Sequence, residues 1–390
     1  MAPRPKKEKI VLSDFKPSQS FLETVSTSSL NYRECALQEI MALIAHDPDD
    51  SLDEYLATAL YYGATESEIQ NVVFQSSFHF GPSKAITTRS RVVASLQSLM
   101  GPLHHALNST YVEKEVSVGD HRTVVKDSNP HSQSIPIVLI HALALDRRMW
   151  DAVFSRLVAT AGSSSIRVIA YDMRGHGYAA HAPHARSLTQ LASDLHCILD
   201  ALKIAKADVY GQSYGGAVAQ YFALAYPDQT RSLGLITTAG EAQPSWITRA
   251  TRAEEAQSVA PLLPETIIRW FTPEAIARNE WGVRYARSCV ERISLSDWAD
   301  AWRCMSQLDS LQSLSAGKVK CPVLLACGVQ DASTGPKWMT RLREACEAGG
   351  NTGVVYKEID PGVHMMALEQ GEVLTREILA FRRRVDELGG

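Results

Sequence analysis

The apolar positions divide the chain into two stretches of different period. Between about residues 30 and 100 they recur at helical spacing, with no convincing strand. In "NYRECALQEIMALIAHD", Ala36, Leu37, Ile40, Met41 and Ile44 share one helical face. "SLDEYLATALYYGATESEIQNVVFQ" predicts two helices. Gly63 suits the left-handed stop of the first, and Thr65-Glu66-Ser67-Glu68 carries the capping-box pattern that starts the second. Gly81-Pro82 breaks that helix, and a further one carries Val92, Val93, Leu96 and Leu99.

From about residue 113 the period changes. "EVSV" and "HRTVVKD" predict the two strands of a hairpin turning at "GD". Short apolar runs then recur: "IPIVLI" (135–140), "RVIAYD" (167–172), "ADVYG" (207–211), "SLGLIT" (232–237), "CPVLLACG" (321–328) and "GVVYKEID" (353–360). Amphipathic helical stretches separate them, which predicts an α/β fold with a largely parallel sheet buried on both faces. The interval 241–316 breaks the alternation. It is helical in pattern and holds Trp246, Trp270, Trp281, Trp298 and Trp302, five of the seven tryptophans, and so predicts an inserted helical cap. The expected organisation is a disordered tail over 1–20, an all-helical domain over 21–108, and an α/β domain over 113–388 with its cap at about 241–316.

Composition narrows the function classes. The chain has 390 residues, 45% hydrophobic and 21% charged, with a formal net charge of −4, so nothing points to nucleic acid as a partner. The basic start "MAPRPKKEK" is short and lacks aromatics. It has no apolar signal-peptide core, and no apolar run approaches the roughly 18 residues a membrane helix needs, so no membrane partner is expected. Seven cysteines, an odd number with no C-x-x-C spacing, fit reduced thiols in a cytoplasmic protein rather than a disulfide frame or zinc site. No metal or nucleotide motif is present, and no cofactor is expected.

The chemistry concentrates in "DVYGQSYGGAVAQ" (208–220), where Gly211-Gln212-Ser213-Tyr214-Gly215 fits G-x-S-x-G. The five-residue pattern alone is equally a glycine-rich strand-to-helix turn. Its context, after a predicted strand and opening a predicted helix, favours a nucleophile in a sharp turn lined by small residues. A serine hydroxyl needs a histidine base, itself oriented by a carboxylate. Of twelve histidines only His364, in the loop "DPGVHMMALEQ", follows Ser213. Asp331, closing "LLACGVQD", is the first choice for the acid; Asp360 and Asp309 are the alternatives. The turn "VLIHALALDRRMW" offers the Leu143 N–H as an oxyanion donor beside that of Tyr214. His141 and His176 read as loop-shaping residues.

In order and spacing, "IPIVLIHALALDRRMW", "YDMRGHGYA", "GQSYGG", "CGVQD" and "GVHMMALEQ" resemble the α/β-hydrolase superfamily over about residues 115–388, with Ala142 where most members have glycine. Within it, "LDRRMWD" and "RWFTPE" (269–274) resemble 3-oxoadipate enol-lactonases. The resemblance implies that Ser213, Asp331 and His364 open a small-molecule lactone or ester, with Arg147, Arg148, Trp150 and Trp270 as candidate substrate contacts. "ALYYGATESEIQNVVFQSSFHFG" is similar to the carboxymuconolactone decarboxylase family, although Tyr55 stands where that family often has histidine. The pair of resemblances implies a place in aromatic catabolism by the β-ketoadipate route, with decarboxylation coupled to lactone opening. It also implies a homo-oligomer formed through the helical domain. The alternatives are a general carboxylesterase, or an enzyme of carbon–carbon cleavage or ring formation on a larger metabolite, with the helical domain a non-catalytic module. A non-catalytic ligand-binding protein is a third.

Overall fold

The computed structural model describes residues 17–26, 32–45, 52–61, 64, 66–100, 111–160 and 166–388. Residues 1–16, most of the expected tail, lie outside them, as do Gly63, Thr65 and 101–108. The chain divides into two compact units, residues 1–105 with 277–285, and residues 106–276 with 286–390.

The first unit is helical: α1 (Gln19–Ser26), α2 (Tyr32–Ala45), α3 (Leu52–Tyr61), α4 (Glu66–Phe80) and α5 (Pro82–Met100). The helical spacing of apolar residues does the packing. Ala36, Ile40 and Ile44, each four apart on α2, are buried with Leu56, Leu60, Ile69, Val73, Val92 and Leu96 in one core. Leu37 and Met41 flank that row and are only half-buried.

The second unit is built on an eight-stranded sheet: β1 (Val112–Val118), β2 (His121–Asp127), β3 (Ile137–Ile140), β4 (Val168–Tyr171), β5 (Ala207–Gln212), β6 (Thr230–Ile236), β7 (Val323–Gly328) and β8 (Val354–Ile359). Its order is β1-β2-β4-β3-β5-β6-β7-β8. The β1–β2 hairpin joins antiparallel through β2–β4, and every pairing from β4 to β8 is parallel. Strands β3, β4, β5 and β7 are buried along their whole length, which is why they appear in the sequence as continuous apolar runs. Among the helices beside the sheet, α6 (Asp151–Thr160) packs on α17 (Gly371–Leu388), and α7 (Leu188–Ala201) on α8 (Tyr214–Ala225).

Between β6 and β7 the chain makes its long excursion through α9 (Pro244–Glu255), α10 (Leu263–Trp270), α11 (Pro273–Ala277), α12 (Trp281–Arg292), α13 (Leu295–Met305) and α14 (Leu311–Ser315). An isolated bridge, Glu241 to Asp309, closes the base of this excursion. Trp246, Trp270, Trp298 and Trp302 are buried in it. Helices α15 (Pro336–Ala348) and α16 (Met366–Glu369) complete the described elements. No described helix is long and apolar enough to cross a membrane. None of the seven cysteines is in a disulfide, and no cluster of the described residues has the ligand set of a metal ion.

Candidate active site

The carboxyl ends of β5 and β6 and the loops after β7 and β8 converge on Ser213. In parallel sheets this end is where ligands bind. Ser213 links β5 directly to α8 with φ +55° and ψ −113°, a conformation that L-residues rarely adopt. Two contacts brace it. Its N–H donates to the Ile236 carbonyl at 2.9 Å, and its carbonyl accepts from Thr238 Oγ1 at 2.8 Å. The glycines around it are a packing requirement. A Cβ on Gly211 would lie 2.0 Å from the Gly215 carbonyl oxygen, and one on Gly215 would lie 2.3 Å from that of Ile140.

His364 stands in the loop after β8. Its Nε2 is 2.9 Å from Ser213 Oγ and its Nδ1 is 3.0 Å from Asp331 Oδ2. Asp331, just beyond β7, accepts the Ser333 N–H at 2.7 Å and the Thr334 N–H at 3.2 Å on its other oxygen. Burial alone would raise the Asp331 carboxyl. The facing imidazole and these backbone donors outweigh burial and hold it below the usual range. An ionised Asp331 accepts from Nδ1–H, which leaves the Nε2 lone pair to take the serine proton. Asp309 instead joins the bridge at the base of the cap.

Three side chains not singled out in the sequence hold the base. Gln212, fully buried, donates from Nε2 to the His364 carbonyl at 2.7 Å and accepts the Ala367 N–H at 3.1 Å on Oε1. Thr237 Oγ1 donates to the same His364 carbonyl at 3.0 Å. Thr334 Oγ1 donates to the Thr237 carbonyl at 2.6 Å and lies 3.3 Å from His364 Nδ1. Their partners are remote in sequence, so no local pattern could have found them.

Leu143 lies in the turn after β3, and Tyr214 is the first residue of α8. Among the described residues neither backbone N–H donates to a protein acceptor. The Tyr214 N–H is one of the unsatisfied donors of a helix N-terminus, where the dipole favours negative charge. Ala142 is accommodated: its N–H meets Met149 Sδ at 3.0 Å and its carbonyl accepts from Leu145. His141 ties this turn to the loop after β4, with Nδ1 2.8 Å from the Ala142 carbonyl and Nε2 accepting the Met173 N–H at 2.9 Å. His176 Nδ1 lies 2.9 Å from the Arg174 carbonyl. Burial pushes both imidazoles down to about 4, so both are neutral structural groups.

The expected substrate contacts are placed differently from the sequence expectation. Arg147 bonds Asp172 Oδ2 through Nη1 at 2.5 Å and Glu113 through Nε and Nη2. Arg148 makes a two-pronged pair with Asp146, at 2.9 and 2.6 Å. Both guanidiniums are thus committed to carboxylates of the fold, because the Asp146 cap and the Asp172 loop need neutralising where they are buried. Trp150 is wholly enclosed and has no face to offer a ligand. Trp270 is also buried, but at the catalytic end: its carbonyl accepts the N–H of Met365, the neighbour of His364, at 3.1 Å.

The family model described as "alpha/beta hydrolase fold" matches residues 135–370. The chain is similar to 3-oxoadipate enol-lactonase 2 of Acinetobacter baylyi, 31% identical over 170 residues, which is 43% of this chain and 62% of that protein. It is 27% identical over 215 residues to 3-oxoadipate enol-lactonase 1 of the same organism, covering 55% and 77% of the two chains. Among solved structures, an enol-lactonase from Burkholderia xenovorans superposes with a TM-score of 0.61 at 26% identity, over 69% of this chain and all (100%) of that one.

Proposed function

The chain belongs to the α/β-hydrolase fold family, and we propose that within it the chain opens a small carboxylic ester or lactone through Ser213, an enol-lactone of the 3-oxoadipate type being the first candidate. The observation that carries this reading is the continuous hydrogen-bonded series Ser213–His364–Asp331 at 2.9 and 3.0 Å on a strained strand-to-helix turn. In this mechanism Ser213 Oγ attacks the lactone carbonyl as His364 Nε2 takes its proton. Asp331 holds the imidazole and stabilises its charged form. The N–H groups of Leu143 and Tyr214 receive the oxyanion. Collapse expels an enolate, a better leaving group than a simple alkoxide, which takes the proton from His364; the neutral imidazole then activates the water that clears the acyl-enzyme and returns the proton to Ser213. The similarity to two enol-lactonases and one enol-lactonase structure supports the choice of leaving group.

For the helical unit, the reading is a carboxymuconolactone decarboxylase-like module whose main role is assembly. Tyr55 is half-buried against its core where that family often has histidine, and a phenol is a poorer proton shuttle than an imidazole near neutral pH. Helix α4 exposes Phe78 at 74% and Phe80 at 39%, apolar surface that a second copy would cover.

The test is labelling and turnover. A fluorophosphonate should mark Ser213, and Ser213→Ala and His364→Ala should each cost roughly 10⁴-fold or more in kcat on an enol-lactone, with no further loss when combined. An adduct on another serine, or near-normal turnover by Ser213→Ala, removes Ser213 from the mechanism.

A further inference from the structure

The cap contains positive charge that the fold leaves unneutralised. Arg249 on α9, Arg269 on α10 and Arg252 line a narrow pocket with Glu265, Trp298 and Trp302, whose cavity volume is about 20 Å³. One carboxylate faces three guanidiniums. Glu265 is engaged by Arg252 at 2.8 Å and stands 3.8 Å from Arg269. Among the described residues the Arg249 guanidinium has no carboxylate or hydrogen-bond partner, and its contact is the Trp302 ring. Besides the long Glu265 contact of Arg269, what positions these two cations is an aromatic ring. The Arg249 guanidinium lies 4.8 Å and that of Arg269 5.9 Å from the centre of the Trp302 indole.

Two guanidiniums on one ring repel each other. Burial lowers the proton affinity of both. For Arg269, burial first and then the charge of Arg249 bring it down to about 10. An arrangement that costs stability in the empty protein gains most from an anion that pairs with both forks.

The pocket is tied to the reacting end of the molecule. Arg269 precedes Trp270, whose carbonyl holds the Met365 N–H beside His364. Thr272, two residues further, bonds Glu369 through its Oγ1 at 2.7 Å, so the segment after α10 is fastened to α16, which directly follows the loop that carries the base. The Asp331 carboxylate acts on Arg269 through space.

We propose that Arg249 and Arg269, seated on Trp302, form a carboxylate-recognition subsite, and that the substrate is an ester or lactone bearing a second, free carboxylate. The substrate class rests on the hydrolase reading above; the anion subsite itself stands on the cap geometry. A dianionic or second-carboxylate ligand places one end at Ser213 and the other between the two guanidinium forks.

The test compares two esters of equal chain length, mono-p-nitrophenyl adipate and p-nitrophenyl hexanoate, on the full chain and on its Arg249→Gln/Arg269→Gln variant. The wild type should favour the adipate hemiester. The double variant should lose about 30-fold or more in kcat/KM on the hemiester, mainly through KM, as for the loss of charged hydrogen bonds. Its hexanoate turnover should be unchanged, which also shows that it folds. Arg249→Gln alone, at the more weakly held position, should give a smaller loss of the same kind. Equal loss on both esters, or none on the hemiester, overturns the subsite. If the wild type cleaves neither ester, fluorophosphonate labelling decides the fate of the hydrolase reading, and adipate titration by calorimetry decides that of the subsite. Saturable binding that the double variant lacks sustains the subsite, and absence of adipate binding to the wild type overturns it.

Discussion

Gln212→Met tests whether the histidine base is held by the residue next to the nucleophile. Methionine keeps the volume of the buried side chain but removes its amide. Three contacts go with it: the 2.7 Å bond to the His364 carbonyl, the 3.1 Å bond from the Ala367 N–H, and a weak 3.6 Å contact from Nε2 to Met365 Sδ. The His364 carbonyl still has Thr237 Oγ1 at 3.0 Å. The Ala367 N–H loses its partner, and Ala367 is fully buried. A lost bond costs about 0.5–1.5 kcal/mol and a stranded buried donor about 1–3 kcal/mol, so the fold should weaken by roughly 2–4 kcal/mol and survive. The His364 carbonyl then rests on Thr237 alone, with the Trp270 carbonyl still holding the Met365 N–H, so the loop can shift. A displacement of about 1 Å at a catalytic group costs on the order of 10²-fold, so kcat should fall by about 10- to 100-fold with KM little changed. That is less than the loss from removing Ser213 itself. The assays are steady-state turnover of an enol-lactone and urea unfolding of the same preparations. If stability falls as expected while kcat stays within about twofold of wild type, Gln212 braces the loop without positioning the base, and the reasoning is wrong.

Acid should destabilise the fold through His141 and His176, both held neutral with values near 4 by burial. An unfolded histidine titrates near 6.5, so between about 6.5 and 4 the unfolded chain binds more protons and stability falls as pH drops, by on the order of 3 kcal/mol per histidine at the low end. Urea unfolding at pH 7 and pH 4.5 measures this, and His176→Asn should flatten the slope; a stability independent of pH across that window contradicts it. Light scattering at micromolar concentration should find at least a dimer, lost on deletion of residues 1–108; a monomeric full chain refutes assembly through the helical unit. Incubated with carboxymuconolactone, the wild type should release carbon dioxide only after ring opening, and Ser213→Ala should release none. Release by that variant at the wild-type rate would give the helical unit its own site, with Tyr55, Glu68 and His79 the first residues to replace.

What the sequence discloses depends on how far apart the interacting residues are. The sheet was legible because its strands are buried on both faces and therefore appear as unbroken apolar runs. The serine, acid and base were legible as candidates because fold topology orders them along the chain and only one histidine follows Ser213. The same reasoning fails for charges. Arg147 and Arg148 sit beside the oxyanion turn, yet the carboxylates that engage Arg147 are 34 and 25 residues away, at Glu113 and Asp172. Nothing local distinguishes an arginine neutralised by a remote carboxylate from one left for a substrate. Arg249 and Arg269 show the converse: they lie on different cap helices and become a pair only when Trp302, on a third, packs against both. Proximity of a cation to a catalytic motif in sequence is therefore weak grounds for a substrate contact. The better criterion is charge that the folded chain fails to neutralise: Arg249 meets it outright, and Arg269 shares its one carboxylate, Glu265, with Arg252.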